Sequence, residues 1–217
     1  MTAIVHHPSN SLLLDYAAGT LDEASSLLIA THLTLCPHCR AEVAAAEAIG
    51  GSLLDDLPAA PLRPGALDAV MARLAAPAEQ PTLRKPQPST WLPRPLTERL
   101  GGDDPSLWKW RWLGPGLADL PLVSDRNRPS ARMVRLTPGT GLPPHDHGGR
   151  ELTLVLRGAF GDRFGRFGRG DVEETYPDMH HEPVALEGEV CIGLVVTDAR
   201  LRFDGFIARA MQTFTGV

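Results

Sequence analysis

The sequence predicts an α+β protein of two domains, a small helical bundle followed by an antiparallel β-barrel. Three observations predict this. Apolar residues up to Ala76 recur at helical spacing, with glycines and prolines between the repeats. From about Leu107 the apolar runs shorten to strand length and are broken by Gly and Pro at regular intervals, the mark of a sandwich or barrel. Between them, Pro77 to Pro95 is dense in proline with Ala, Gln, Thr and Ser, the composition of a linker. The boundaries read as a helical domain over 1–80, a linker over 81–105 and a barrel over 106–217.

Ser9 is placed to cap a short helix bearing Leu12, Leu13 and Tyr16, ending near Gly19. Thr20-Leu-Asp-Glu23 reads as a capping box that opens a second helix carrying Leu21, Ala24, Leu27, Leu28 and Leu35. Cys36-Pro37 starts a third helix, with proline where its missing N–H does no harm. That helix is alanine-rich through Ile49 and is expected to stop at Gly50-Gly51. A fourth helix, Pro64 to Ala76, puts Leu67, Val70, Met71 and Leu74 on one stripe, which either packs on the earlier helices or docks on a partner. In the second half, Trp108, Trp110 and Trp112 alternate as one face of a strand would. Ala131–Leu136, Glu151–Gly158, a hairpin through Gly161 and Gly168-Arg-Gly-Asp171, Glu189–Thr197 and Arg200–Ala208 complete the strand set.

Composition narrows the function. The chain has 217 residues and a net charge of −5; residues 1–90 hold five Lys/Arg against nine Asp/Glu. An acidic first half argues against direct nucleic-acid binding and suits a basic protein partner. No signal-peptide start and no long apolar run occur, so a cytoplasmic protein that does not enter a membrane is expected. Of three cysteines two sit close together, and the third, Cys191, lies in the apolar run VCIGLVV as a core residue. A disulfide framework is therefore not expected.

The histidines concentrate the chemistry. All eight, at positions 6, 7, 32, 38, 145, 147, 180 and 181, lie in or beside candidate metal clusters. THLTLCPHC places His32, Cys36 and Cys39 as H-x3-C-x2-C, three corners of a tetrahedral zinc site, and the His6-His7 pair is the source of a fourth. A unit this small has little core of its own, so zinc would supply much of its folding energy. Farther on, Gly139-x5-His145-x-His147-x3-Glu151-x6-Gly158 puts two histidines two apart on a strand, facing the same way, with Glu151 opening the returning strand. His181 in HHEPVA is the candidate fourth ligand, while His180 would point to the opposite face. Three imidazoles and a carboxylate suit a divalent transition metal: zinc, iron, manganese or nickel.

The His145-Asp-His147…Glu151…Gly158 block resembles the first cupin motif. The second is degenerate: Gly170-Asp171 and a later histidine remain, without the usual proline-glycine spacing or final asparagine. From HHPSNSLLLDYAAGTL through ATHLTLCPHCRAE to RELTLVLRGAF, nearly the whole chain resembles the ChrR-type zinc-binding anti-sigma factors. The resemblance implies an N-terminal zinc domain that sequesters an extracytoplasmic-function sigma factor, and a jelly-roll cupin domain needed for response to singlet oxygen and related oxidants. It implies His7, His32, Cys36 and Cys39 as the first ligand set, which sets His6 aside and leaves His38 at the surface. The second would be His145, His147, Glu151 and His181. No catalytic activity is expected. The alternative is a cupin metalloenzyme of dioxygenase or isomerase type with an accessory helical domain, drawing on Tyr176 or Asp178 as acid or base.

Overall fold

The computed structural model describes residues 3–75, 91–124, 129–177, 179–199 and 201–203. Four helices, α1 (Asn10–Ala17), α2 (Glu23–Leu35), α3 (Pro37–Asp55) and α4 (Ala66–Ala75), precede residue 76, and α5 (Arg94–Leu100) follows. Then come β1 (Arg111–Gly114), β2 (Leu117–Val123), β3 (Ser130–Leu136), β4 (His145–His147), β5 (Glu151–Arg157) and β6 (Ala159–Asp162). β7 (Gly165–Gly168), β8 (Val172–Thr175), β9 (Val184–Ala185), β10 (Cys191–Thr197) and β11 (Leu201–Phe203) complete the order. One wall is a six-stranded antiparallel sheet, β1-β2-β3-β10-β5-β8. The facing side is built from β7-β6-β9 and the β11-β4 pair.

Alternation along the central strands decides what each face does. Leu152, Leu154 and Leu156 on β5, Ile192, Leu194 and Val196 on β10, and Ala131 and Met133 on β3 point out of the barrel. They join Leu12, Leu13, Ala24, Leu28 and Ile29 of the helices in one buried cluster, with α2 lying across β3, β5 and β10. The helical unit, expected to lean on metal for want of a core, shares its core with the outer face of the sheet. The residues between, among them Leu136, Val155 and Cys191, turn inward with Phe160, Phe167 and Ala185 and fill one end of the barrel.

Several local expectations are corrected. The cap of α2 is Asp22, whose carboxylate accepts the Ser25 N–H at 2.9 Å; Thr20 closes α1 instead, its backbone N–H and its hydroxyl both donating to the Asp15 carbonyl. Helix α3 begins as expected, with Cys36 as N-cap and Pro37 in the first turn, but runs through Gly50-Gly51 to Asp55. Glycine costs a helix about 1 kcal/mol and stops it only where the backbone turns left-handed, which neither residue does. The tryptophans do not share a strand face: Trp108 is buried ahead of β1, Trp110 donates its Nε1–H to the Pro105 carbonyl, and only Trp112 lies on β1, exposed. Strands β2, β8 and the short β9 were not expected. Residues 200 and 204–208 of the last expected strand, and Ala76 of the fourth helix, lie outside the described residues, as do residues 77–90 of the Pro-rich stretch. From Trp91 onward the span assigned to the linker carries α5, which packs on α2 with Leu92 and Leu96 buried.

Candidate metal centres

The first cluster sits where three local structures meet. Cys36 ends α2 and caps α3, its sulfur accepting the Cys39 N–H at 3.4 Å. One helical turn carries the chain from Cys36 to Cys39, so both sulfurs fall on one side of the α3 N-terminus, and His32 lies one turn back on α2. His7 arrives from the segment before α1, its Nδ1 at 3.5 Å from Cys36 Sγ and 3.4 Å from Cys39 Sγ. Ligand atoms of all four residues lie within 4.8 Å of one another. A tetrahedron with Zn–N near 2.0 Å and Zn–S near 2.3 Å has edges of about 3.3–3.8 Å, which the His7–sulfur distances match.

His32 carries the sharpest test of fit. Its ring is fully buried; Nδ1 lies 2.9 Å from the Gly170 carbonyl, which takes a proton there, and Nε2 has no hydrogen-bond partner. A buried lone pair without a donor is costly unless an ion receives it. Burial, outweighing the Gly170 hydrogen bond, lowers the His32 pKa to about 4, so the ring is neutral and fit to ligate. Burial, then the hydrogen bond and charge of Cys36, pushes the Cys39 thiol up to about 12. A cation among these sulfurs would reverse that preference, since a coordinating thiol is deprotonated outright.

The second cluster lies inside the barrel. His145 and His147 are two apart on β4, Glu151 opens β5, and His181 reaches them through a bridge in which the backbones of 145 and 181 exchange hydrogen bonds. His145 and His181 bring their Nε2 atoms to 3.2 Å, and His147 Nε2 lies 3.8 Å from Glu151 Oε1. All four side chains are buried. Glu151 Oε2 has no partner, an orphaned acceptor that fits a cation. Burial pushes the Glu151 carboxyl up, but the neighbouring imidazoles, His147 first, outweigh it and hold it below the usual range. His145 Nδ1 faces the Pro143 carbonyl at 2.8 Å, which keeps its proton outward. His180 is half-exposed on the other side, 3.2 Å from Asp146 Oδ1.

Residues 104–199 match the ChrR cupin-like domain model. The anti-sigma-E factor ChrR of Cereibacter sphaeroides is 43% identical over 212 residues, 97% of this chain and 98% of its own length. The chain belongs to the ChrR family. The crystal structure of Rhodobacter sphaeroides SigE in complex with the anti-sigma ChrR matches with a TM-score of 0.76 and 41% identity, covering 90% of this chain and 100% of that one. The α+β architecture of this ChrR-family chain, with helices first and a cupin-type antiparallel barrel second, is the fold its sequence predicts.

Two residues that sequence reasoning missed complete the barrel site of this ChrR-family chain. His181 Nδ1 lies 2.7 Å from Asp162 Oδ2 on β6 and 3.6 Å from Glu173 Oε1 on β8, both carboxylates buried. A carboxylate behind a ligating histidine fixes its tautomer and raises its basicity. Burial pushes Glu173 up to about 7, whereas Asp162, also desolvated, is held below its ordinary range by its hydrogen bonds to Glu173 and His181. His6 does not join the first cluster: its ring packs on Phe167, centroids 4.5 Å apart and planes tilted by 43°. His38 is exposed, its ring 5.2 Å from that of His7. Tyr176, named for the enzymatic alternative, is exposed and donates its hydroxyl to Glu174, while Asp178 lies outside the described residues.

Proposed function

We propose that this protein is an anti-sigma factor, which binds an extracytoplasmic-function sigma factor through its N-terminal helices and releases it in response to an oxidant of the singlet-oxygen type. The observation that carries the reading is an uncovered apolar surface on α3 and α4. Ile49, Leu53 and Leu54 on α3, Leu57 and Leu62 after it, and the stripe Leu67, Val70, Met71 and Leu74 on α4 are all more than half exposed. Exposed apolar side chains in such a run mark a protein interface. Among the described residues nothing buries the stripe, and the chain matches an anti-sigma factor over 97% of its length and a ChrR solved in complex with SigE over 90%. A helix laid against a polymerase-binding surface of the sigma factor excludes polymerase by occupancy alone.

The division of labour follows the domains proposed from sequence, 1–80 for the sigma factor and 106–217 for the signal. Zinc held by His7, His32, Cys36 and Cys39 would fix the crossing of α2 and α3 and so the presentation of the apolar face. A second divalent transition metal, with zinc the first choice, would be held by His145, His147, Glu151 and His181. When bound, such a metal supplies a Lewis-acidic, coordinating centre. The chain's own contribution there is a buried cluster of donors, fixed imidazole tautomers and the buried carboxylates of Asp162 and Glu173. Release requires a free-energy difference between the sigma-bound and signal-altered states, and the site of action is the cytoplasm, where the sigma factor meets polymerase. No helix among the described residues is long and apolar enough to cross a membrane.

The test is transcription by polymerase loaded with an extracytoplasmic-function sigma factor from the same genome. The full-length zinc-loaded chain should inhibit it stoichiometrically, and the Cys36→Ser/Cys39→Ser chain should not. Failure of the zinc-loaded, folded native chain to bind or inhibit any such sigma factor would remove the proposal.

A further inference from the structure

We infer that the β7–β8 turn of the barrel is a working part of the N-terminal metal site, with Gly170 and Asp171 as positioning residues for His32 and for the segment that carries His7. The inference rests on the metal reading of that site and goes beyond it, assigning the orientation of two ligands to the other domain.

The contacts are direct. Gly170 offers its carbonyl to His32 Nδ1 at 2.9 Å, which fixes the tautomer that leaves Nε2 facing the sulfurs. Asp171 Oδ1 accepts both the Val5 N–H at 2.8 Å and the His6 N–H at 3.0 Å, while its Oδ2 accepts the Gly168 N–H at 2.8 Å and closes the turn. The Val172 N–H donates to the His6 carbonyl at 3.0 Å. His7 is thus flanked by a residue whose N–H and C=O are both held by the barrel. Two residues on, Ser9 gives its N–H to Glu174 Oε2 at 3.2 Å. The approach requires glycine at 170: φ is +95°, and a Cβ there would stand 2.5 Å from Ile4 Cδ1. The bonds to Val5, His6 and His32 are not needed to build the barrel turn, which the Asp171 Oδ2 bond to the Gly168 N–H and the Gly170 N–H to Val155 and Asp171 N–H to Gly168 carbonyl bonds already close.

Strand β8 therefore touches both clusters. Glu173 lies behind His181, and Thr175 Oγ1 is 3.4 Å from His147 Nε2. Asp171, just ahead of the strand, and Glu174, within it on the opposite face from Glu173 and Thr175, hold the N-terminal segment. A shift of β8 moves the backing of one ligand set and the suspension of the other together.

The test uses the full-length chain loaded with cobalt(II). Thiolate-to-cobalt charge-transfer absorption arises only where cysteine ligates, so it reads the N-terminal site without the barrel site, whose donors are nitrogen and oxygen. The rate at which this band decays under excess chelator is compared between variants, and protection of Cys191 from alkylation reports an intact barrel. Asp171→Ala should lose the band about tenfold faster or more, as outer partners of metal ligands typically carry 10- to 100-fold of affinity. Asp171→Asn, whose amide oxygen still accepts from Val5 and His6, should fall between. Glu174→Ala should speed the decay about fivefold, the worth of one ordinary hydrogen bond, and Glu174→Gln should restore it. Native decay rates in Asp171→Ala with Cys191 protected would overturn the inference. Should that variant lose its fold, an unchanged rate in Glu174→Ala would overturn it equally. A native chain that never shows the band would instead remove the metal reading beneath it.

Discussion

Replacing Leu67 and Leu74 on α4 by alanine separates docking from folding. The two side chains are 70% and 73% exposed, and no residue of α4 is buried, so neither contributes to the core. Alanine also favours helix slightly over leucine, leaving α4 intact. Fully burying a leucine gains about 1.5–3 kcal/mol, and roughly seven-tenths of that, about 1–2 kcal/mol, remains available to a partner at each position. Each single variant should weaken sigma-factor binding about 5- to 30-fold, and the double variant by roughly the product. Calorimetric or fluorescence titration against the purified sigma factor measures this, while thermal unfolding of the free chain should stay within about 0.5 kcal/mol of native. An affinity unchanged within twofold in the double variant would refute the docking role of α4. A large fall in thermal stability would show the stripe to be packed within the chain.

Three further outcomes follow from the same geometry. Leu28→Ala removes a fully buried side chain from the core shared by helices and sheet; it should cost about 2–5 kcal/mol and lower the whole chain in a single melting transition by roughly 5–15 °C. Two separate transitions, only one of them shifted, would show that the halves fold independently. In metal-stripped protein His32 has a folded pKa of about 4 against 6.5 unfolded, so the unfolded state takes up its proton first. Denaturant titrations should find stability falling as pH drops from 6.5 toward 4, by about 3 kcal/mol in total, and His32→Gln should flatten that slope. Burial raises the Cys191 thiol to about 12, so it should resist iodoacetamide at pH 8 in the native state, and its contribution to stability should hold below pH 9 and fade as pH rises toward 12.

How much of this was legible in the sequence depended on the range of the interaction. His32, Cys36 and Cys39 are fixed by one helical turn and one capping position, and His145 and His147 by strand parity, so spacing alone brings each set together. His181 was a candidate from strand parity in HHEPVA, whereas the choice of His7 over His6 needed the family pattern, since nothing local ties residue 7 to residue 32. Asp162 and Glu173 were invisible because two carboxylates eleven residues apart meet only when β6 and β8 close on His181. The shared core has one signal in the sequence: CIGLVVT is apolar on both parities, the pattern of a strand buried on both faces, whereas ELTLVLR alternates, with Leu152, Leu154 and Leu156 on one parity and Glu151, Thr153 and Arg157 on the other. At Gly50-Gly51 local propensity predicts a stop, but two glycines with helical dihedrals are only a weak stretch of an otherwise continuous helix.

The six-stranded sheet ends on one side at β8, and a bare strand edge is a template on which other chains can pair. Here the segment ahead of α1 runs past that edge and takes up the Val172 N–H. The same few residues that deliver His7 thus double as a seal against edge-to-edge association. Trimming them, or displacing them with a bulky fusion, should produce soluble oligomers and then precipitate even in metal-replete buffer, so the placement of a purification tag on this protein is itself a structural choice.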